Sequence, residues 1–558
     1  MGGRWGWASG WWIEFIFRIV WWTTLLILRV ASIWMVEIVA KRAGKPVDNK
    51  SPSPGGVGTC RQHIWREMHT QPVEAPEWVS PGNDDVSETY FRASRVAFLH
   101  GFQPSAEVYR TGQNSWSPAG WRLLSDEPLR IANSERRRTA DDTTWDDPRR
   151  HHSSWVMALS AGSTTTLLGA LEADTPRLHA DLDVLVGWTE TGCEGSWVLI
   201  EGEEMAAFSR YRELLASRYG VRDEDPGKIW SSWYSLYENV SRSRLDEIMV
   251  ELPGLGFDTI QVDDGWERAV GDWEANDRFP EGMPDLARAA EAQGLRPGLW
   301  LAPFIVMPGS EAFEKHRDML LRDAVGELAP AGSNWGGNYF VYDYTREDAC
   351  DLLAELINVV VSTWGFTYLK LDFLQAAAAA GSHSREMDRE AIYRRAITAV
   401  REAAGDSAYL LGSGALMMPS LGILNAVRTS PDVAPMWTNY ATQDPSDALA
   451  HNALRNSVER MWMRHLVGLD PDVVFARGTR NLLTPEQCQW LRDSAVLSGF
   501  RALSDPPDWL TKEEKEMLRN YLGPLPETER LGRYRFRIGE RDVDLEHAVR
   551  ATSSPYAL

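Results

Sequence analysis

At 558 residues with a formal net charge of −21, the chain is long enough for a large core flanked by smaller units, and its field repels nucleic acid and anionic lipid. That balance excludes nucleic acid as a partner and suits a neutral or cationic small molecule. Four cysteines, Cys60, Cys193, Cys350 and Cys488, lie far apart without CxxC or Cys/His spacing, which predicts free thiols, a reducing cytoplasmic compartment and no metal site.

Residues 1–50 form a Trp-rich N-terminal extension, with Trp5, Trp7, Trp11, Trp12, Trp21, Trp22 and Trp34 among aliphatics. The uncharged run 19–28, bracketed by Arg18 and Arg29, is about half the roughly 20 residues a spanning helix needs. Glu14 and Arg18 interrupt any signal-peptide apolar stretch, and no clear A-x-A site follows. Three readings stay open: a dispensable or wrongly assigned extension, a membrane-surface or spanning anchor, and an export signal. Residues 51–85 are rich in Pro, Gly and Ser and read as linker.

From 86 to 225 short apolar runs alternate with polar turns, as in Ser154-Trp155-Val156-Met157-Ala158-Leu159 and Leu182-Asp183-Val184-Leu185-Val186. This predicts an antiparallel β-sandwich of reduced size, closed by a helix over 203–219 in which Ala207, Phe208, Tyr211, Leu214 and Leu215 fall near helical spacing.

Beyond Pro226 the rhythm becomes strand, loop, helix, repeated. Strands are predicted at 229–234, 259–263, 296–302, 339–343, 368–372, 409–412 and 426–428. The helix after the fourth has Thr345 placed to cap it, an apolar face of Ala349, Leu352, Leu353, Leu356, Val359 and Val360, and Gly365 to close it. So many βα units over 226–505 predict an α/β fold, a (β/α)8 TIM barrel, whose strand C-termini form the active face. Residues 506–558 are a short C-terminal segment with a helix near 511–522 and a strand-like stretch at 532–538.

Residues two apart on a strand share a face, so Lys370 and Asp372 in Tyr368-Leu369-Lys370-Leu371-Asp372-Phe373 point the same way. Lys370 is expected to hold Asp372 ionised as a nucleophile and to donate to a substrate hydroxyl, unless the two are a structural ion pair. In Gln261-Val262-Asp263-Asp264-Gly265-Trp266 both carboxylates serve one ligand only if the chain leaves the sheet, which Gly265 makes feasible; an Asx turn is the bland alternative. Adjacent carboxylates beside an aromatic suit a sugar. In Arg428-Thr429-Ser430-Pro431-Asp432, Asp432 is placed to reach a glycosidic oxygen and Arg428 a hydroxyl, against the reading of a plain turn. Trp230, Trp233, Trp266, Trp273, Trp300 and Trp437 cluster near predicted strand ends and are expected to stack on sugar faces.

Together with Trp230-Ser231-Ser232-Trp233-Tyr234, Gly271-Asp272-Trp273, Asn276-Asp277-Arg278-Phe279-Pro280 and Gly298-Leu299-Trp300-Leu301-Ala302-Pro303-Phe304, these segments resemble glycoside hydrolase family 36, retaining α-galactosidases, in family order across nearly the whole barrel. The resemblance implies Asp372 as nucleophile and Asp432 as acid/base. It implies Asp263 and Asp264 on the 4- and 6-hydroxyls of galactose, Lys370 and Arg428 on other ring hydroxyls, and Trp230 near the non-reducing end. Many members carry a Gly-Cys-Gly-like stretch beside the sugar where this chain has Gly412-Ser413-Gly414, so Ser413 opens N-acetylgalactosamine as an alternative sugar. The expected reaction is double displacement on a small galactoside or oligosaccharide, without metal or organic cofactor. Alternatives are galactosyl transfer of the raffinose-synthase kind and a non-catalytic sugar-binding barrel.

Overall fold

The computed structural model describes residues 71–79, 82, 85–140, 147, 149–439 and 444–550. The expectations for residues 1–50, for much of the 51–85 linker and for Cys60 lie outside the described residues. Among the described residues no helix is long and apolar enough to cross a membrane, and Cys193, Cys350 and Cys488 are free thiols.

Two antiparallel sheets come first in the chain. One has six strands, in the order Val86–Ala93, Gly195–Gly202, Thr164–Glu172, Val156–Ala161, Glu107–Thr111 and Ala119–Leu123. The other has four, Arg95–Leu99, Val184–Thr189, Pro176–Ala180 and His151–Ser154. Phe91 of the first meets Phe98 of the second at 5.1 Å between ring centroids. Gly187 lets the buried Trp197 indole cross the gap, since a Cβ there would lie 2.7 Å from the ring. The helix Glu204–Tyr219 covers the six-stranded sheet, its Tyr211 hydroxyl donating to the carbonyls of Ala170 (2.8 Å) and Trp155 (3.2 Å).

The parallel barrel follows. Its strands are β1 (Lys228–Ser231), β2 (Thr259–Val262), β3 (Arg296–Leu301), β4 (Tyr368–Leu371), β5 (Tyr409–Gly412), β6 (Ala426–Arg428), β7 in two pieces (Gly468–Asp470 and Val473–Val474) and β8 (Arg501–Leu503). Each pairs in parallel with the next, and β8 pairs with β1. The break in β7 lets one strand serve both neighbours. Its first piece pairs with β6 and its second with β8, and between them Pro471 cannot donate to a ladder while Asp472 turns at φ +77°.

Several sequence expectations are corrected. Residues 339–343 are not a barrel strand: Gly337–Val341 is antiparallel to Pro330–Asn334 and Ile305–Val306, forming an excursion between β3 and β4. A short apolar run has no periodicity that distinguishes the two. β1 stops at Ser231 and a helical turn, Trp233–Leu236, follows, while β7 and β8 were not predicted. The helix Glu347–Asn358 is not capped by Thr345, whose hydroxyl donates instead to Asp343 Oδ1 at 2.7 Å. A π turn, Val359–Thr363, ends it before Gly365 at φ +90°. The C-terminal helix Lys512–Tyr521 and the sheet Thr528–Arg530, Arg535–Ile538 and Arg541–Asp544 pack back on the molecule. Tyr534 there donates to buried Glu459 at 2.8 Å.

Candidate active site

The C-terminal ends of β2, β4 and β6 gather the carboxylates. In a barrel interior, side chains from alternate strands share a layer, and this decides which groups meet. Lys370 Nζ on β4 donates to Asp263 Oδ2 at the end of β2, 2.8 Å away, with side-chain exposures of 6% and 3%. Gln261 Nε2 donates to the same oxygen at 2.9 Å. The hydrogen-bond partner of Lys370 is thus Asp263, a cross-barrel neighbour that strand alternation does not reveal, while the Asp372 charge acts on the same lysine. Burial opposes the lysine's charge, yet Asp263 first, then Asp372 and Asp432, keep its pKa above the ordinary value.

Asp372 itself accepts from its neighbour's backbone, Phe373 N–H to Oδ1 at 2.8 Å, and from Trp300 Nε1–H to Oδ2 at 3.2 Å. Phe373 sits at φ +54°, a strained setting for a bulky residue and one that clusters at functional sites.

At the end of β2 the chain leaves the sheet. Asp263 Oδ1 accepts the Asp264 N–H at 3.0 Å, and Asp263 N–H donates to Ser232 Oγ at 2.9 Å. Gly265 follows at φ +112°, where a Cβ would lie 2.7 Å from the Glu238 backbone, so only glycine fits the turn. Asp264 Oδ2 then accepts from Trp335 Nε1–H at 2.9 Å. Burial and then the hydrogen-bonded Glu267 carboxyl push Asp264 up to about 9, so Asp264 holds its proton at neutral pH.

Arg428 is enclosed by carboxylates. Its Nε donates to Asp470 (2.8 Å) and its Nη1 to Asp472 (2.9 Å) and Asp432 (3.0 Å), with 3% of the side chain exposed. These pairs also place Arg428 to position Asp432, a role the sequence reading did not include. The Asp432 side chain keeps 42% of its surface open to the mouth. Enclosure in the mouth and then the charge of Asp472 raise Asp432 to about 6, while Arg428 and Lys370 pull the other way and Asp372 adds to the rise. Tyr234 donates its hydroxyl to Asp472.

The tryptophans divide. Trp230 and Trp266 are fully buried, their indole N–H groups donating to the carbonyls of Asp505 (3.0 Å) and Trp300 (2.9 Å). Both are core residues with no face free for a sugar, which corrects the stacking role expected of them. Trp233 is half-buried edge-on to Tyr237, and Trp437 packs on His451 and Trp490. Trp273 packs between Trp266 and Trp300. Phe373 instead organises the aromatic wall, with Trp116 at 5.5 Å, Trp335 at 5.1 Å and Tyr339 at 5.4 Å between centroids. A cavity of about 350 Å3 lies there, lined by Trp116, Asn133, Arg136, Ser333, Phe373 and Asp432 among others. Ser413 is buried beside it, its amide donating to the Leu371 carbonyl at 2.7 Å and the next amide, of Gly414, to Ser115 Oγ at 3.1 Å.

Trp116, Glu267, Trp335, Tyr339, Asp470 and Asp472 were not found by sequence reasoning. The Asp470-Pro471-Asp472 triplet was the available signal, since two carboxylates around a proline mark a broken strand.

Carboxylates at three strand ends around one mouth, walled by aromatics, define a glycoside hydrolase barrel. The melibiase family model matches residues 203–403. An α-galactosidase from Thermus thermophilus, solved with p-nitrophenyl α-D-galactopyranoside, is 37% identical, with a TM-score of 0.78, 87% of this chain and 97% of that chain covered. A second structure of that enzyme, with stachyose, gives 36% identity, a TM-score of 0.73 and coverage of 82% and 96%. The curated α-galactosidase AgaA of Geobacillus stearothermophilus is 31% identical over 199 residues, 34% of this chain and 26% of its own length. The chain thus matches about a quarter of the length of the curated relatives. It belongs to the melibiase family, the α-galactosidases of glycoside hydrolase family 36.

Proposed function

We propose that the chain is a retaining α-galactosidase that removes terminal α-linked galactose by double displacement. The observation that carries this reading is the contrast between two carboxylates of one mouth. Asp372 accepts two N–H hydrogen bonds and presents its carboxylate beside Trp300; Asp432 is raised to about 6, where it can give and retake a proton.

Asp372 attacks the anomeric carbon as the bond to the leaving oxygen breaks, and Asp432 protonates that oxygen. Asp432 then takes a proton from water, which attacks the glycosyl-enzyme and releases Asp372. Asp263, fixed by Lys370 and Gln261, accepts from one of the sugar's 4- and 6-hydroxyls, and Asp264, fixed by Trp335 and protonated, pairs with the other. Arg428 holds Asp432 from behind. Because the Thermus thermophilus relative was solved with stachyose, short α-galactoside oligosaccharides are the natural class to assay.

The test is Asp372→Gly with azide. Turnover of nitrophenyl α-galactoside should vanish and return as β-galactosyl azide, whereas an α-azide product or undiminished hydrolysis sinks the assignment. N-Acetyl-α-galactosaminide and α-glucoside assayed in parallel fix the sugar that the Ser413 side of the mouth admits.

A further inference from the structure

A cavity of about 520 Å3 lies at a seam of three parts of the molecule: the sandwich edge strand Ala119–Leu123, the helix Ala450–Glu459 and the C-terminal segment that carries Tyr534 and Val549. Small-molecule sites span roughly 300–1,000 Å3. No residue of its lining belongs to the cavity beside Asp432, so it is a space apart from the proposed chemistry.

Two guanidinium groups line it without a carboxylate partner. Arg455, half-buried on the helix, makes one hydrogen bond, from Nη2 to the Pro445 carbonyl at 3.2 Å, which leaves Nη1 with none. Arg122, half-buried on the edge strand, donates from Nη1 to the Glu127 carbonyl at 3.3 Å, which leaves Nε and Nη2. Neither is in an ion pair among the described residues. A desolvated charge without a partner is costly, so the pair suits a guest that brings the anion.

The carboxylates of the lining are committed to other donors. Asp444 accepts the amides of Ala132 (3.1 Å) and Asn133 (3.3 Å) on one oxygen, and the Ser446 amide (2.9 Å) and hydroxyl (2.6 Å) on the other. Glu459 accepts from Tyr534 and the Trp121 amide, and burial raises its pKa, which lessens the charge it offers. Asp126 accepts the Leu123 amide at 3.2 Å. A third arginine, Arg550, is already paired, with Glu107 at 2.7 Å and Glu546 at 3.1 Å. Burial and then the Arg122 charge lower Arg455 to about 10, which leaves it cationic at neutral pH within the field of a second cation. Two unpaired cations match a dianion better than a monoanion, and a guanidinium fork fits phosphate oxygens. The space exceeds a bare phosphate, and Leu449 and Val549 give an organic body an apolar wall.

We infer that this cavity binds a small phosphate monoester, its dianionic head held by Arg122 and Arg455 and its body against Leu449 and Val549. The site is independent of the proposed α-galactoside reading, since it shares no residue with the catalytic mouth.

Calorimetric titration of the full chain in phosphate-free buffer, with phenyl phosphate and with benzoate as a monoanion on the same ring, tests it. Phenyl phosphate should bind once per chain and at least tenfold more tightly than benzoate. Arg455→Met should weaken it at least tenfold, and Arg122→Gln, on the edge strand, at least threefold. Because Arg455→Met removes an unpaired cation, its melting temperature without ligand should equal or exceed that of the parent, which separates lost binding from lost folding. Phenyl phosphate should raise the melting temperature of the parent and leave that of Arg455→Met unmoved. No binding by the parent, benzoate bound as tightly as phenyl phosphate, or unchanged titrations in both variants overturn the inference. So does an Arg455→Met chain that melts earlier than the parent while Arg122→Gln binds as the parent does, since Arg455 is then a structural cation.

Discussion

Lys370 Nζ lies 2.8 Å from Asp263 Oδ2, so the buried lysine of β4 is hydrogen-bonded to the end of β2 and not to Asp372 two residues along its own strand. Lys370→Met strands a buried carboxylate, and breaking one side of such a pair typically costs about 3–5 kcal/mol. The variant should melt earlier and lose at least about 100-fold in kcat/KM, a loss of roughly 2.7 kcal/mol in transition-state binding. The double variant Asp263→Asn, Lys370→Met should recover most of the stability and little of the activity. A Met variant as stable as the parent would return the lysine to Asp372.

The same residue pair shows what was legible from sequence and what was not. Alternation along β4 placed Lys370 and Asp372 on one face, and Gly265 signalled that Asp263 and Asp264 leave the sheet; both follow from local geometry. The partner of Lys370 depends on barrel closure, which brings alternate strands into one layer and has no trace in a single strand's pattern. Trp335 was hidden because its hairpin reads as one more barrel strand, and Trp116 because it lies some 250 residues from Asp372 with only tertiary packing to join them. Indole counting failed for Trp230 and Trp266, since a buried indole needs only one carbonyl to satisfy it.

In the proposed mechanism Asp432 is the general acid and sets the alkaline side of the activity profile. It must then carry its proton, so kcat/KM should fall as pH rises past about 6. The Asp472 charge is the largest raising influence after enclosure, and Arg428 and Lys370 oppose it. Asp472→Asn removes the raising charge and leaves the lowering ones, so the alkaline limb should move to lower pH. Profiles on nitrophenyl α-galactoside from pH 4 to 9 check the sign; a shift to higher pH would detach Asp432 from this limb.

Trp300→Phe isolates the indole N–H at Asp372. The aromatic neighbours Trp273 and Trp335 still have a ring to pack on, while Asp372 Oδ2 loses its donor at 3.2 Å. Hydrogen bonds to charged groups are worth about 1.5–3 kcal/mol, so kcat/KM should drop by roughly tenfold or more with little change in melting temperature. Parental kinetics in the Phe variant would leave Trp300 a packing residue only.

Arg460 ties the sandwich to the rim of the candidate active site. Fully buried, it donates through Nε to Thr111 Oγ1 (3.2 Å), through Nη1 to the carbonyls of Ser115 (3.2 Å) and Thr429, and through Nη2 to those of Asn114 (3.1 Å) and Ser117 (2.8 Å). One side chain therefore ties the sandwich loop bearing Trp116 to the β6 loop bearing Asp432. Arg460→Met keeps the bulk but leaves four carbonyls without this donor, at about 1–3 kcal/mol for each one that finds no substitute. A large fall in melting temperature is expected. Below that temperature activity should fall too, because Trp116 is then free to leave the Phe373 ring and open the wall beside Asp432 to water. Arg460→Lys, with a donor but no planar fork, should fall between the two. A Met variant that is destabilised yet fully active below its melting point would make the tie purely structural, and would place the sandwich outside the chemistry.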